Sequence, residues 1–476
     1  MKLPRFVHSI VSAMGGRLAT AALNYGLFWV LAQRMDAGHL GAFSLLMSVF
    51  LTLVQLPMLG LSVALVRRAA VSVGDLPAEV SNALAFAAPI SVALMLAVGA
   101  SGHLSRHEEF ISAYWLVGVS LLPSAWILVA ECTLLGRERV KDVTRVNFVE
   151  SLLRTALSIA AVHLGHGLEG VFLAFLAGRC LSAVIYAFHP MIPFPRLGQW
   201  SAALQRRNWR EVPVFLGIAA VAALVSRLDV IMLSQLRGLR DVATYAAASR
   251  LYEAALMLPT VAALVVMPVL ARQYMDAPER IPGTLSLTLR TGLTVGLGLA
   301  VPAAAFAAPV IGLLYRPDMA GAADVLHWLI LAAAVMTIDV VLSSTMMAVR
   351  AQEDDLRALT IGLVVLAAAL VALVPQFGPT GTAIAVTMGL ATRVVVRLRW
   401  ARRALQLPSP WLYVLQLSVA CAAGMTAMFA TLRNGAFVAA LAGLGAYVAV
   451  ALLSGALGKP FRHELRAGFA LLGKRG

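Results

Sequence analysis

The fold of this chain is decided by stretches such as residues 82–104, which read NALAFAAPISVALMLAVGASGHL and contain no aspartate, glutamate, lysine or arginine. A transmembrane helix needs about 20 mostly apolar residues, so this stretch is long enough to cross a bilayer. The whole chain is similar: 60% of its 476 residues are hydrophobic and 13% are charged, against about 25% charged in soluble domains. Composition therefore excludes a soluble enzyme and indicates a polytopic membrane protein.

Apolar runs bounded by charged and turn residues predict fourteen transmembrane helices in an all-α polytopic membrane protein. Their predicted ranges are 8–33, 40–66, 82–104, 110–135, 146–165, 168–189, 211–236, 243–271, 284–314, 324–349, 356–375, 379–399, 411–431 and 435–457. We expect two six-helix lobes followed by a C-terminal helix pair. The expected parts are an N-terminal lobe (1–190, helices 1–6), a cytoplasmic linker (191–210), a C-terminal lobe (211–400, helices 7–12) and a helix pair with a basic tail (401–476).

Basic residues alternate between the two sides of the predicted membrane. Of the 38 lysines and arginines, 25 lie on the side of the N-terminus, six on the opposite side and seven deeper within spans. The 25 include Arg357, Arg397 and Arg399, which lie at the ends of their predicted spans. Cytoplasmic loops are enriched in lysine and arginine, so both termini are predicted to be cytoplasmic. This use of positive charge accounts for the formal net charge of +15, and no nucleic-acid partner is expected.

Two spans share a pattern that predicts an internal duplication. Residues 43–57 read FSLLMSVFLTLVQLP, and residues 245–259 read YAAASRLYEAALMLP. An aromatic residue and a proline recur at the same separation, 202 residues further along the chain. Repeated helical halves around a central site are a common transporter plan.

Seven arginines fall within the predicted spans, where each needs a cavity or a partner because charge in hydrocarbon is costly. Arg290 and Arg393 lie close enough to predicted cytoplasmic ends to extend to the interface. A guanidinium stays charged and presents a planar fork that fits phosphate. The candidates for an anion-binding cavity are therefore Arg17, Arg154, Arg179, Arg227 and Arg250.

Carboxylates within spans are candidates for ion pairing or ion coupling. Glu150 precedes Arg154 by four residues, the favourable order for a local ion pair, although a substrate contact is equally compatible with Arg154. Asp339 is isolated within its predicted span and could titrate, bind a cation or pair with a neighbouring arginine.

A second group of charges is predicted between two helices. Arg227 and Asp229 are two residues apart and point away from each other, so they cannot pair within their helix. Arg250 and Glu253 are predicted at a similar depth in the next helix. We expect these four residues to form one inter-helix cluster, either a structural salt-bridge network or part of a substrate site.

Signatures of enzymes and metal sites are weak. The pairs His103/His107 and His163/His166 lie at outer helix ends or loops without a carboxylate constellation, so interfacial histidines are the favoured interpretation. The three cysteines are far apart in apolar stretches, and no glycine-rich phosphate loop occurs. We therefore predict no catalytic residues, no metal and no cofactor.

Two stretches resemble a known family. The first runs from Arg17 to Ser48 and contains LAQRMDAGHLGAFS at 31–44. The second contains SRLDVIML at 226–233, followed by VATYAAASRL at 242–251 and by Leu258–Pro259. These resemble the polysaccharide (Wzx-like) flippases of the multidrug/oligosaccharidyl-lipid/polysaccharide (MOP) exporter superfamily. The resemblance implies alternating access between two six-helix lobes and translocation of undecaprenyl-pyrophosphate-linked oligosaccharide across the bacterial inner membrane, for exopolysaccharide or O-antigen biosynthesis.

The resemblance also implies site residues and partners. Arg17 and Arg250 match cavity arginines of the lipid II flippases and are expected to engage pyrophosphate. Ser48 stands in a span where lipid II flippases have an arginine, which favours a polysaccharide repeat unit. Expected partners are the lipid-linked oligosaccharide, membrane lipids, a polysaccharide polymerase and a chain-length regulator. The coupling ion, if one is used, would be H⁺ or Na⁺.

Three alternatives stay open beside this hypothesis. A lipid II flippase shares the superfamily and the terminal helix pair. A MATE-type drug/cation antiporter would have twelve helices and an acid-dominated site. A membrane polysaccharide polymerase or ligase would carry a large periplasmic loop with catalytic groups, and no loop of that size is present.

Overall fold

The apolar stretches fold as helices because a bilayer offers no water to backbone N–H and C=O groups, which must bond within the segment. The structure, a computed structural model, describes residues 3–58, 61–71, 75–104, 108–407, 411–454 and 456. The first eight helices are α1 (Leu3–Arg34), α2 (Ala37–Leu53), α3 (Ser62–Val71), α4 (Leu76–Leu104), α5 (Ile111–Gly136), α6 (Val140–His163), α7 (Gly167–Ala187) and α8 (Ala202–Leu236). The next seven are α9 (Leu239–Ala255), α10 (Met257–Asp276), α11 (Ile281–Leu314), α12 (Ala322–Ala348), α13 (Gln352–Ala404), α14 (Trp411–Thr431) and α15 (Ala436–Leu453).

Nine helical segments of the described residues are long and apolar enough to cross a membrane, by length and composition. They are 37–58, 76–104, 108–136, 167–187, 278–314, 322–348, 352–404, 412–434 and 436–453. These nine segments overlap ten of the predicted spans, because α13 covers two of them. The chain is therefore an all-helical multi-pass membrane protein.

Two predicted spans are interrupted instead of continuous. The span predicted at 40–66 divides into α2, a 3₁₀ turn at Leu56–Met58, and α3. The span predicted at 243–271 divides into α9 and α10, which are separated at Leu256. Pro57 lies in the first interruption and Pro259 just after the second. A proline lacks the N–H that a continuous helix needs and clashes with the preceding turn.

The eleventh and twelfth predicted spans form a hairpin within α13. Gly378 separates the two halves with φ 55° and ψ −129°, a left-handed conformation that residues with a Cβ avoid. The halves lie against each other, since Leu366 neighbours Gly389. Arg237 donates to the Pro375 carbonyl at 3.2 Å beside this turn.

The chain forms two compact units, residues 1–234 and 235–476. In the first unit, the segment before α8 is bound to α4 through Asn82, whose side chain is fully buried. Asn82 Nδ2 donates to the Gln199 carbonyl at 3.0 Å, and its Oδ1 accepts from the Ser201 N–H at 3.0 Å. Gln205 Nε2 donates to the Asn82 carbonyl at 2.8 Å. The region predicted as a linker is thus docked on the first unit.

In the second unit, α14 and α15 pack against α11. Tyr447 Oη donates to the Thr294 carbonyl at 2.9 Å, and Tyr413 Oη lies 2.6 Å from Thr294 Oγ1. At Gly443 the helices are so close that a Cβ would lie 2.8 Å from Val301 Cγ1. Small residues therefore let α14 and α15 meet at backbone distance, with the side chain of Val301 from α11 packed against them.

Hydroxyl side chains in α2 bond to their own helix. Ser44 Oγ donates to the Leu40 carbonyl at 2.9 Å, Ser48 Oγ to the Ser44 carbonyl at 2.8 Å, and Thr52 Oγ1 to the Ser48 carbonyl at 2.8 Å. Ser48 is 4% exposed, so at this position α2 presents a buried, internally bonded hydroxyl.

We predict that Gly378→Ala lowers the free energy of unfolding by about 1–2 kcal/mol, because an L side chain resists the left-handed region. Thermal unfolding of the detergent-solubilised protein measures the loss. Gly312→Ala in α11 is the matched control, since Gly312 has open space around the position of a Cβ. Equal unfolding temperatures for the two variants would contradict the prediction.

Candidate functional site

The predicted site residues lie on six helices of the two units. The side chain of Arg17, on α1, is outside the part of the chain that the structure describes. The first unit holds Glu150, Arg154, Arg179, Arg227 and Asp229, and the second holds Arg250, Glu253 and Asp339.

Arg179 of α7 forms a buried ion pair with Glu150 of α6. The Nη1 of Arg179 lies 3.2 Å from Glu150 Oε2, with side-chain exposures of 13% and 6%. The Nε of Arg179 donates to Ser124 Oγ on α5 at 3.0 Å, and Ser182 Oγ donates to Glu150 Oε2 at 3.1 Å. One guanidinium therefore connects three helices, and its charge is balanced by a carboxylate.

Spacing along α6 did not indicate the partners that Glu150 and Arg154 have in this structure. Glu150 pairs with Arg179 of the following helix, because α7 brings its guanidinium to the face of α6 that carries the carboxylate. Arg154 Nη2 donates to Asn24 Oδ1 on α1. Arg154 thus links α6 to α1 in the first unit.

Two phenylalanine rings lie between these arginines. The Arg154 Cζ is 5.5 Å from the centroid of the Phe175 ring, and the Arg179 Cζ is 5.8 Å from that of Phe50. The two rings meet edge to face at 4.8 Å. Aromatic faces attract cations, most strongly where water is absent, so the stack stabilises both guanidinium groups.

Sequence reasoning missed Glu131 on α5, which lies beside the Glu150–Arg179 pair. Tyr186 Oη donates to Glu131 Oε1 at 3.3 Å, and Arg179 and Glu150 are close enough to act on its carboxylate. The signal was available, because Glu131 is a carboxylate within the predicted span 110–135. Its importance depends on α7, which brings Tyr186 and Arg179 to it.

Asp339 of α12 is paired with two arginines of α13. The Arg393 Nη2 lies 3.0 Å from Asp339 Oδ2, and the Arg397 Nη1 contacts Asp339 Oδ1. The Nε of Arg397 lies 2.8 Å from Asp355 Oδ1, and Ser343 Oγ donates to Asp355 Oδ2 at 3.2 Å. Of the roles considered for Asp339, pairing with neighbouring arginines is the one that its contacts match.

These contacts correct two predictions about arginines of α13. Arg393, expected to extend to the interface, has a side chain only 11% exposed and directed to Asp339. Arg397, counted with the cytoplasmic-side residues at the end of its predicted span, has a side chain 1% exposed inside the helix pair. Both arginines remain in the interior because Asp339 and Asp355 provide counter-charges there.

The four-residue cluster predicted from Arg227, Asp229, Arg250 and Glu253 stays a prediction. Arg250 Nη1 lies 2.9 Å from Glu253 Oε2 within α9, and both side chains are partly exposed. Asp229 Oδ1 accepts from the Val230 N–H at 2.8 Å in α8. The first pair belongs to the second unit and the Arg227–Asp229 segment to the first.

The charged side chains of the described residues are better placed to bind an anion than to bind a metal ion. Among them, no group of three or more His, Cys, Asp or Glu side chains is arranged to hold a metal ion. The first unit brings Arg154 and Arg179 to one aromatic stack, and the bond of Arg154 to Asn24 is exposed whereas that of Arg179 to Ser124 is partly buried. Guanidinium groups in such surroundings bind phosphate or carboxylate oxygens.

Comparison with known protein families gives a match over much of the chain. A family model described as polysaccharide biosynthesis protein matches residues 6–273, more than half of the chain. No curated protein matches the chain in sequence.

Solved structures show the same fold. A lipid II flippase, MurJ, in an inward closed conformation has a TM-score of 0.75 and 14% identity, covering 94% of this chain and 99% of its own. An inward-facing multidrug resistance MATE family transporter of the MOP superfamily has a TM-score of 0.63 and 16% identity, with 81% and 94% covered. A MOP superfamily transporter from Pyrococcus furiosus has a TM-score of 0.59 and 16% identity, with 83% and 94% covered.

We predict that Phe175→Leu lowers the free energy of unfolding by about 1–3 kcal/mol, since it removes a cation–π contact and an aromatic pair. Thermal unfolding in detergent is the measurement. Phe188→Leu is the matched control, because Phe188 caps the same helix and is 84% exposed. A Phe175→Leu variant as stable as this control would show that the stack contributes little.

Proposed function

The chain belongs to the polysaccharide biosynthesis protein family, and on that premise we propose that it flips undecaprenyl-pyrophosphate-linked oligosaccharide repeat units across the bacterial inner membrane. The product would serve exopolysaccharide or O-antigen biosynthesis. The proposal includes fourteen spans with both termini in the cytoplasm and alternating access between two lobes. It describes a transporter, with no reaction catalysed on the sugar.

The observation that carries this proposal is the retention of arginines within spans of a MOP-type fold. In the proposed substrate a pyrophosphate joins the polyprenyl chain to the sugar. Its negatively charged oxygens match the planar donor fork of a guanidinium. Arg17, Arg154, Arg227 and Arg250 are the arginines that we propose for the anion. Arg179 was a fifth candidate, but Glu150 already balances its charge.

Arg250 is suited to exchange partners with a substrate. Its contact with Glu253 joins residues three apart on one helix, and the side chains are 22% and 29% exposed. A partly exposed local pair of this kind contributes little stability, so we propose that a phosphate of the substrate competes with Glu253 for the guanidinium.

The energy for transport has two compatible sources. The membrane potential acts on the net charge moved, at about 2.3 kcal/mol per charge for each 100 mV. Exchange of H⁺ or Na⁺ at Glu253 or Asp229 is the second source. We propose a polysaccharide polymerase and a chain-length regulator as downstream partners.

A lipid II flippase is the second candidate function, favoured by the 94% coverage of this chain in the match to MurJ. Against it stands Ser48, whose buried hydroxyl bonds within α2 where the resemblance leads us to expect an arginine. A MATE-type antiporter is a weaker candidate, because the MATE transporter structure has a TM-score of 0.63 to this chain and MurJ has 0.75.

We predict that cells deleted for this protein lose surface polysaccharide and accumulate polyprenyl-linked repeat units on the cytoplasmic leaflet. Wild type and Arg250→Lys restore export to different extents, with Lys weaker because it lacks the bidentate fork. Arg250→Ala restores least. Leaflet-specific labelling of the lipid-linked precursor, at matched protein expression, is the measurement.

Arg280→Ala is the control for this experiment, since Arg280 is exposed at the start of α11. Normal surface polysaccharide in the deletion strain would refute the flippase proposal. Arrested peptidoglycan synthesis with trapped lipid II would establish the second candidate instead. Full rescue by Arg250→Ala would keep the function and remove Arg250 from the anion site.

A further inference from the structure

The segment that precedes the seventh predicted span carries exposed arginine and tryptophan side chains. It comprises residues 196–210 and includes the first nine residues of α8, 202–210. The segment contains four arginines, and the chain has no aspartate or glutamate from residue 170 to residue 210. Any carboxylate that neutralises these arginines has to come from another part of the chain or from a ligand.

One face of the start of α8 is bound to the first unit by charge. The Arg207 guanidinium pairs with Glu79 of α4, whose side chain is 8% exposed. Arg68 Nη1 of α3 lies 3.3 Å from Glu79 Oε2 and donates to Asn208 Oδ1 at 2.9 Å. Asn208 is 3% exposed. These contacts neutralise Arg207 and fix which face of the helix turns toward α4.

The residues before α8 are held at the same end of α4. The Arg196 N–H donates to Ser81 Oγ at 3.1 Å, and this oxygen lies 3.1 Å from Gln199 Oε1. Asn82 binds the Gln199 carbonyl and the Ser201 N–H. The backbone on both sides of Trp200 is therefore fixed, although the Trp200 residue itself is 55% exposed.

The opposite face of residues 202–210 is exposed and basic. With about 3.6 residues per turn, Arg206, Trp209 and Arg210 fall within about 100° of one another, and all three are exposed. Asn208 lies on the other side of the helix and is buried. The start of α8 is thus amphipathic, with the neutralised arginine on the docked face and two further arginines on the outer face.

The two outer arginines attract an anion. Arg206 and Arg210 are four residues apart and have no ion-pair partner among the side chains that the structure describes. Like charges at this spacing destabilise a helix, so an anion bound between them relieves their repulsion. Guanidinium groups bind phosphate oxygens through charge-assisted hydrogen bonds.

The tryptophans place this face at the edge of the hydrocarbon. The Trp209 ring meets Phe86 of α4 at 4.9 Å between centroids, and Trp209 is 57% exposed. Phe86 is four residues, or about 6 Å, into the span predicted at 82–104. Indole rings concentrate at the level of lipid headgroups. Trp209 and the adjacent arginines accordingly lie where headgroups are found.

We propose that a basic–aromatic face, defined as Trp200, Arg206, Trp209 and Arg210, binds the headgroups of anionic phospholipids. The arginines contact phosphate oxygens, and the indole rings lie at the boundary between headgroups and acyl chains, a combination typical of interfacial helices. In the orientation given under the proposed function, these lipids belong to the cytoplasmic leaflet. The proposal rests on that orientation and requires nothing of the transported substrate.

The test uses full-length protein in vesicles of phosphatidylcholine and phosphatidylglycerol, with bromine on the acyl chains of one lipid at a time. Bromine quenches tryptophan fluorescence on contact, so the two degrees of quenching show which lipid lies at the tryptophans. Brominated phosphatidylglycerol should quench the wild type more strongly. The variant Trp200→Phe/Trp209→Phe, which keeps six of the eight tryptophans, should lose most of this excess.

The variant Arg206→Gln/Arg210→Gln should lower the preference for phosphatidylglycerol by about fivefold or more, since one arginine near an anionic surface contributes about fivefold in binding. Both side chains are exposed, so its unfolding temperature should equal that of the wild type. Arg139→Gln/Arg145→Gln is the matched control. It removes the same charge from the same unit, at side chains 53% and 77% exposed that lie close to Asp142.

Equal preferences in the two double variants would overturn the proposal, because the effect would then belong to net charge and not to this face. Equal quenching of the wild type by the two brominated lipids would also overturn it, and would leave the face to an acidic protein segment. The measurement involves no transport, so its outcome is separate from that of the flipping assay.

A salt series on the wild type tests the proposal without any variant. Raising the ionic strength from about 0.1 M to about 1 M shortens the Debye length from about 10 Å to about 3 Å. The preference for phosphatidylglycerol should fall severalfold over this range, because Arg206 and Arg210 are exposed to the solvent ions. A preference that does not change with salt would contradict recognition by these arginines.

Discussion

A guanidinium inside a bilayer has to obtain its counter-charge and hydrogen-bond acceptors from the protein, since lipid tails offer neither. In this chain that requirement fixes how helices associate. Arg179 reaches α5 and α6 from α7, and Arg397 joins α12 to both halves of α13. The hydrophobic effect does little to join helices within lipid, so such contacts and close backbone packing determine the arrangement.

The same requirement separates the arginines that hold the fold from the arginines that we propose for the transported anion. Arg179, Arg393 and Arg397 have carboxylate partners and little exposure. Arg154 and Arg250 lie in more accessible surroundings, one bonded to the amide of Asn24 and the other to a carboxylate on its own helix. A transporter that binds an anion needs both kinds, because a binding arginine must be able to change partners during each cycle.

The sequence alone predicted the helices well, because apolar length is a local property. The span predicted at 82–104 lies within α4, and that at 284–314 ends with α11 at Leu314. The predicted resemblance to MOP-superfamily flippases is confirmed by the family match and the fold. Pairing was harder to predict, since spacing along one helix cannot show that Glu150 meets Arg179. Arg397 was misplaced for the same reason: its burial depends on Asp339 and Asp355, which precede it on other segments.

The hydroxyl ladder of α2 bears on how such a fold diverges. The hydroxyls of Ser44, Ser48 and Thr52 donate to carbonyls of the preceding turn, which already accept hydrogen bonds within the helix. Exchange of these residues for alanine or valine leaves every backbone bond intact, and the same freedom extends to most lipid-facing positions. Charge pairs and close glycine contacts, such as those at Arg179 and Gly443, tolerate exchange less well. Most residues of such a helix can therefore change during evolution while the fold is kept. This accounts for a TM-score of 0.75 to MurJ at only 14% sequence identity.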